Sequence, residues 1–226
     1  MKEALVIFAK APLPGQVKTR LIGALTAEQV TELYVCFLRD TFAVMEAVQE
    51  EREQLSLALC YTPAEELEAF EAAEFDGCLL LSQRGHDLGE RLQNCFADFF
   101  ELGFGAMVVI GADSPTLPAE LVHEAFEHLL TPDQVVLGPA TDGGFYLVGM
   151  NGLQPHLYEQ IDWSAEKTLS QMLARAEQRH LTCALLPEWY DLDTPADLQH
   201  LQQQIAAGQA APKYTGRYLR KRSLPR

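Results

Sequence analysis

Two runs of six residues, Ala4-Leu5-Val6-Ile7-Phe8-Ala9 and Ala106-Met107-Val108-Val109-Ile110-Gly111, are apolar throughout. A strand with one wet face alternates apolar and polar residues. An unbroken run this short fits a strand covered on both faces, as in a parallel sheet between two layers of helices. The rest of the chain repeats that pattern. Further apolar-rich runs at 55–61, 78–81, 134–139, 145–150 and 182–186 read as additional strands, separated by stretches of helical period. After a Pro- and Gly-rich loop, Thr26 and Gln29 read as a capping box, and Val30, Leu33, Tyr34, Phe37, Leu38, Met45 and Val48 follow on one helical face. Thr62-Pro63 reads as an N-cap with proline at the first helical position. Helices are also predicted over 87–102, 118–130 and 164–179, the last capped by Ser164, and after Thr194-Pro195-Ala196-Asp197.

Strands alternating with helices of this length predict a single α/β domain, its sheet mostly parallel and covered on both faces. Gly143-Gly144 and Asn151-Gly152 read as turns inside that domain rather than boundaries. The domain is placed at 1–208 and a basic tail at 209–226.

Charge narrows the partners. Against 32 acidic residues the chain has 17 basic ones, a net −15. Six of those basic residues (Lys213, Arg217, Arg220, Lys221, Arg222 and Arg226) fall in the last 14 positions with no acid among them, so residues 1–212 carry −21. A body this acidic has no broad basic surface to displace counterions from a phosphate backbone, which argues against nucleic acid as a partner. The tail itself reads as a solvated, frayed terminus with no part in the core. Neither a signal peptide nor a membrane span is expected. The five cysteines, odd in number and without CxxC spacing, read as free thiols in a reducing cytoplasm.

Ligands of open α/β sheets bind outside the carboxyl ends of the strands, and four loops there hold unusual residues. Lys10-Ala-Pro-Leu-Pro14-Gly15-Gln-Val-Lys18-Thr-Arg20 is stiffened by prolines and places two cations near the sheet edge, which suits a di- or triphosphate or else a solvated surface. It is not a Walker A loop, because Val17 and Pro12 stand where that motif needs glycine. Asp113, directly after the second apolar run, can hold a hard cation such as Mg²⁺, or serve the turn Asp113-Ser114-Pro115. Asp142-Gly143-Gly144 can present backbone amides to a substrate or form a hairpin turn. Asp191 and Asp193 precede a helix that needs only Thr194 and Asp197 as caps, and so stand as surplus carboxylates. Gly89 and Arg91, near the start of the 87–102 helix, could hold a phosphate or a base.

Together and in this order, the segments around Val6–Leu21, Gly111–Leu117, Asp142–Gly149 and Asp191–Leu198 resemble the DUF2064 family, as do Asp87-Leu-Gly-Glu-Arg91 and Trp163-Ser164. That group is similar to nucleotide-diphospho-sugar transferases of GT-A type, whose relatives include molybdenum-cofactor guanylyltransferase, phospholactate guanylyltransferase and CMP-Kdo synthetase. The resemblance implies a three-layer, Rossmann-like mixed sheet of about seven strands with one antiparallel member. It implies that Lys18 and Arg20 meet nucleotide phosphates and act in catalysis with Asp113. It also implies that Asp113 and Asp193, with Asp191 beside them, carry Mg²⁺ or Mn²⁺. Ala9, Lys10, Pro14, Gly15, Gly89 and Arg91 are expected to bind substrate, as are Asp142, Gly143 and Gly144, which the resemblance places on the acceptor side.

The chemistry so implied is attack of a small phosphorylated, carboxylated or sugar acceptor on the α-phosphorus of a nucleoside triphosphate. Many glycosyltransferases of this fold have Asp-x-Asp where this chain has Asp113-Ser114-Pro115, and the only Asp-x-Asp here is Asp191-Leu192-Asp193. That departure favours nucleotidyl transfer over the alternative of sugar transfer from a nucleotide-sugar. A nucleotide-binding accessory protein without turnover is a third reading, and a homodimer is compatible with all three.

Overall fold

A computed structural model describes residues 1–132, 134–163 and 166–221. Among them, seven strands form one sheet in the order β3-β2-β1-β4-β6-β5-β7. The strands are β1 (Glu3–Lys10), β2 (Leu55–Thr62), β3 (Leu79–Ser82), β4 (Ala106–Gly111), β5 (Gln134–Pro139), β6 (Phe145–Met150) and β7 (Thr182–Leu185). Pairing is parallel throughout except where β6 runs against both β4 and β5. The mixed α/β sheet expected from the sequence is therefore present, with β6 as the antiparallel member.

The helices are α1 (Ala27–Glu50), α2 (Leu88–Glu101), α3 (Ala119–His128), α4 (Thr168–Gln178), α5 (Pro195–Ala206) and α6 (Lys213–Lys221). Alternation along each strand sends side chains to two separate cores. Leu5, Ile7, Val108 and Ile110 face a layer built from α1, α3 and α5, while Ala4, Val6, Met107 and Val109 face α2 and α4. Both faces of β1 and β4 are thus dry, which is why their sequences do not alternate. The Thr26–Gln29 capping box opens α1, and a second box of Thr194 and Asp197 opens α5. No helix among the described residues is long and apolar enough to cross a membrane.

Two expectations need revision, and a third cannot be compared. Thr62 still pairs with Lys10 in the sheet, so it ends a strand instead of capping a helix. Thr62–Pro63 is a cis peptide, and the chain beyond it makes only a 3₁₀ helix at Leu67–Ala73. The assignment of Ser164 as a cap lies outside the described residues; the helix there begins at Thr168. The basic tail is not frayed through residue 221. Asp40 on α1 accepts the backbone N–H groups of Tyr214 and Thr215 at 2.9 and 2.7 Å, which satisfies the first turn of α6, and Thr215, Gly216 and Leu219 are buried. Tyr218 donates its hydroxyl to Gln29 O, so α6 lies along α1. The cations Lys213, Arg217, Arg220 and Lys221 occupy the exposed side of this helix.

Candidate active site

The carboxyl ends of β1, β4, β5 and β7 lie on one edge of the sheet, and the loops leaving them meet. After β1 the chain turns at Leu13–Gln16 and enters a short 3₁₀ helix at Thr19–Leu21. Val17 and Leu21 are buried and pin this loop on either side of Lys18. Lys18 adopts a left-handed backbone (φ 45°, ψ 43°), uncommon for a residue with a side chain. Only 5% of its side chain reaches solvent. After β7 the chain continues beside β5, Trp189 N bonding to Pro139 O and Thr141 N to Trp189 O. Leu192 N then donates to Asp113 O across the gap to β4, while the Leu192 side chain is fully buried. Asp191 and Asp193, on either side of it, are thereby held at the sheet edge.

These constraints bring Lys18, Asp113 and Asp193 together. The Lys18 ammonium lies 2.7 Å from Asp113 Oδ1 and 2.5 Å from Asp193 Oδ1. Burial alone would depress the lysine pKa, but the two carboxylates outweigh it and hold the pKa above its ordinary value. Arg20, 74% exposed, approaches Asp193 at 3.6 Å. Asp191 is set apart: its Oδ1 accepts the Ser114 hydroxyl at 2.5 Å. Burial pushes the Asp191 carboxyl up to about 6, with the Ser114 hydrogen bond pulling the other way.

Two adjoining cavities open at this edge. The first, about 440 Å³, has Lys10, Lys18, Arg20, Asp113 and Asp193 on its polar side and Phe8, Tyr34 and Val109 on its apolar side. The second, about 850 Å³, is lined by Thr141–Phe145, Trp163, Glu166, Thr168 and Asp191. Arg20, Leu88 and Phe145 belong to both. The Asp142-Gly143-Gly144 turn is shaped for this place. Asp142 Oδ1 accepts Gly144 N at 2.8 Å, and Gly143 has φ +92°, with no room for a Cβ beside the Glu166 backbone.

Of the residues singled out from the sequence, Lys10, Lys18, Arg20, Asp113 and Asp193 line the first cavity, and Asp142, Gly143, Gly144 and Asp191 the second. Ala9 is buried in β1, and Pro14 and Gly15 are exposed in the turn beyond it. Arg91 donates Nε–H to Gly85 O at 3.2 Å. Gly89 is buried under the Trp163 indole, which a Cβ there would overlap, so its smallness serves packing. Sequence reasoning did not single out Tyr34, Phe145, Ser114 or Glu166. The first two sit in ordinary apolar patterns, and the positions of the other two depend on residues distant in the chain.

Asp113 and Asp193 converge on one cation, the Lys18 ammonium. Among the described residues no third His, Cys, Asp or Glu joins them in a metal cluster. Mg²⁺ is commonly held by one or two carboxylates completed by water and phosphate oxygens. The pair therefore fits a cation that arrives with a phosphorylated ligand better than one held by protein alone.

Comparison with known proteins agrees with this architecture. Residues 44–165 match the family described as "Uncharacterized protein conserved in bacteria (DUF2064)". That stretch includes Asp113 and the 142–144 turn, whereas Lys18, Asp191 and Asp193 lie outside it. No curated protein matches. A structure from Desulfovibrio desulfuricans G20, provisionally described as a nucleotide-diphospho-sugar transferase, is 30% identical with a TM-score of 0.88, covering 98% of this chain and 95% of that one. Two more distant structures share the fold. One is CMP:2-keto-3-deoxy-manno-octonic acid synthetase complexed with CTP (TM-score 0.52, 14% identity, 92% of this chain and 100% of that one). The other is Rv0371c of Mycobacterium tuberculosis H37Rv in complex with manganese (TM-score 0.54, 14% identity, 90% and 99%). The chain belongs to the DUF2064 family and has the nucleotide-diphospho-sugar transferase fold.

Proposed function

We propose that this chain is a cytoplasmic, Mg²⁺- or Mn²⁺-dependent transferase that moves a nucleoside monophosphate from a nucleoside triphosphate to a small acceptor, releasing pyrophosphate. The observation that carries the reading is the Lys18–Asp113–Asp193 cluster on the wall of the first cavity. A basic loop beside a pair of carboxylates that already share a cation is what a triphosphate and its divalent ion require. Asp113 and Asp193 would hold the metal, which when bound neutralises phosphate charge.

The chain's own side chains account for the rest. The apolar side formed by Phe8, Tyr34 and Val109 receives the nucleoside, and Lys18 and Arg20 orient the phosphates. In this reading an acceptor held in the second cavity attacks the α-phosphorus through an oxygen. The new oxygen–phosphorus bond forms as the bond to the bridging oxygen of the β-phosphate breaks. Pyrophosphate departs, and the acceptor's proton passes to water. Positioning and charge neutralisation supply most of the rate in such transfers.

Sugar transfer from a nucleotide-sugar is the second reading, favoured by the description of the Desulfovibrio relative. A thermal-shift panel of the four ribonucleoside triphosphates, UDP-sugars and GDP-sugars, each with and without Mg²⁺, tests both. A Mg²⁺-dependent rise in Tm with one triphosphate supports nucleotidyl transfer. A rise confined to a nucleotide-sugar replaces it with glycosyl transfer. At ~100 times its dissociation constant a ligand adds about 2.7 kcal/mol, enough to be read as several degrees.

A further inference from the structure

The second cavity differs from the first in the sign of its charge and in the nature of its wall. Asp142, Glu166 and Asp191 are its acidic residues, and among the described residues lining it Arg20 is the only cation. Arg20 is directed toward Asp193, on the wall of the first cavity. A phosphorylated or carboxylated compound entering here would meet three carboxylates and no cation committed to it. Like-charge contacts of that kind strongly disfavour binding. Ionised carboxylates only accept hydrogen bonds, so the complementary ligand is rich in hydroxyl or ammonium donors.

Two aromatic residues, Phe145 and Trp163, share the lining with these acids. The Trp163 indole rests on Gly89 and meets Phe145 edge to face, with ring centres 6.5 Å apart and planes at 77°. Tyr158 packs against the same indole at 6.1 Å. The indole held by these neighbours contributes apolar surface to the cavity, of the kind that suits the C–H groups of a saturated ring. A volume of about 850 Å³ accommodates a ligand of sugar size or larger.

We infer that the second cavity binds the acceptor, and that the acceptor is a neutral or cationic polyhydroxy compound (a sugar, cyclic polyol or amino sugar) without phosphate or carboxylate. The inference rests on the transfer reading above and narrows its acceptor. One of the compound's hydroxyls faces the first cavity past Leu88 and Phe145, the apolar residues common to both chambers. The others pair with Asp142, Glu166 and Asp191.

The test separates acceptors by charge without needing their identity. A bacterial small-molecule extract is divided on an anion-exchange resin, and each fraction is incubated with the enzyme, Mg²⁺ and a mixture of the four triphosphates. Pyrophosphate release sustained by the unretained fraction is the expected result. Release sustained only by the retained, anionic fraction overturns the inference while leaving the transfer reading intact. If no fraction sustains release and no triphosphate raises Tm, the transfer reading fails and the inference falls with it. Release absent from every fraction although a triphosphate does raise Tm rejects the acceptor inference alone. As a second measurement, the Asp142→Asn/Glu166→Gln double variant should raise the acceptor KM about tenfold or more and leave the triphosphate KM unchanged. An unchanged acceptor KM counts against the assignment.

Discussion

Lys18 bridges Asp113 and Asp193, residues 95 and 175 positions further along the chain, through a single ammonium group. In the proposed reaction the lysine would have two roles that compete. It neutralises the carboxylates while the site holds no other cation, and it is the nearest cation for a phosphate that brings its own metal.

Lys18→Met should therefore act in two directions. Removing the ammonium leaves two half-exposed carboxylates facing each other and should cost about 1–3 kcal/mol in stability, less than a fully buried pair would. The same change should tighten the binding of Mn²⁺ to the nucleotide-free protein and weaken triphosphate binding more than monophosphate binding. Urea denaturation with Mn²⁺ and nucleotide titrations checks all three. Weaker Mn²⁺ binding would contradict the competition.

Asp113→Asn keeps the size of the side chain and removes its charge. Triphosphate affinity in the presence of Mg²⁺ should fall about tenfold or more, whereas affinity in EDTA should change little. EDTA should also abolish product formation by the unaltered protein. Equal losses with and without metal would show that Asp113 acts on the nucleotide by some other route.

Gly89 is fixed by the indole above it. Gly89→Ala should cost about 1–3 kcal/mol by overpacking and should displace Trp163 from the second cavity. Acceptor KM should rise while triphosphate affinity stays close to its original value. Thermal unfolding and tryptophan fluorescence follow the two consequences separately.

Asp191 makes stability depend on pH with a definite sign. Its carboxyl is raised to about 6 in the folded chain, against about 3.9 in an unfolded one. Between those values the folded state binds more protons, so this residue's contribution to stability declines as pH rises from about 4 to 6. The decline amounts to at most ~3 kcal/mol, since about 1.4 kcal/mol accompanies each tenfold change in proton affinity. Asp191→Asn, which can still accept the Ser114 hydroxyl, should be more stable than the parent chain at pH 7 and nearly equal to it at pH 4. Identical pH profiles for the two proteins would remove Asp191 as the source.

Much of this was legible beforehand for local reasons. The double-sided burial of β1 and β4 is written in their unbroken apolar runs. The caps at Thr26 and Thr194 depend on residues three positions away, and both formed. Lys18, Asp113 and Asp193 each stood out at a strand end, although a solvated loop and an Asp-Ser-Pro turn account equally well for the first two. Their mutual pairing was not legible, since it spans most of the chain and requires the buried Leu192 to fix the orientation of its neighbours. Thr62-Pro63 misled because a helix start and a strand end followed by a turn use the same dipeptide. The docking of α6 was hidden for a related reason. Its apolar content is small, and its first turn is satisfied by Asp40, a residue on a helix that precedes it by more than 170 positions.

The reversed direction of β6 has a consequence for how this protein can diversify. The first cavity is framed by loops that lead into core helices, so altering their length disturbs the packing of a whole layer. The turn at 141–144 instead joins two neighbouring strands and leads into no helix. Changes at its exposed residues Thr141 and Asp142 are accommodated without repacking either core. Across related chains, the compound that receives the transferred group should therefore vary sooner than the nucleotide that donates it.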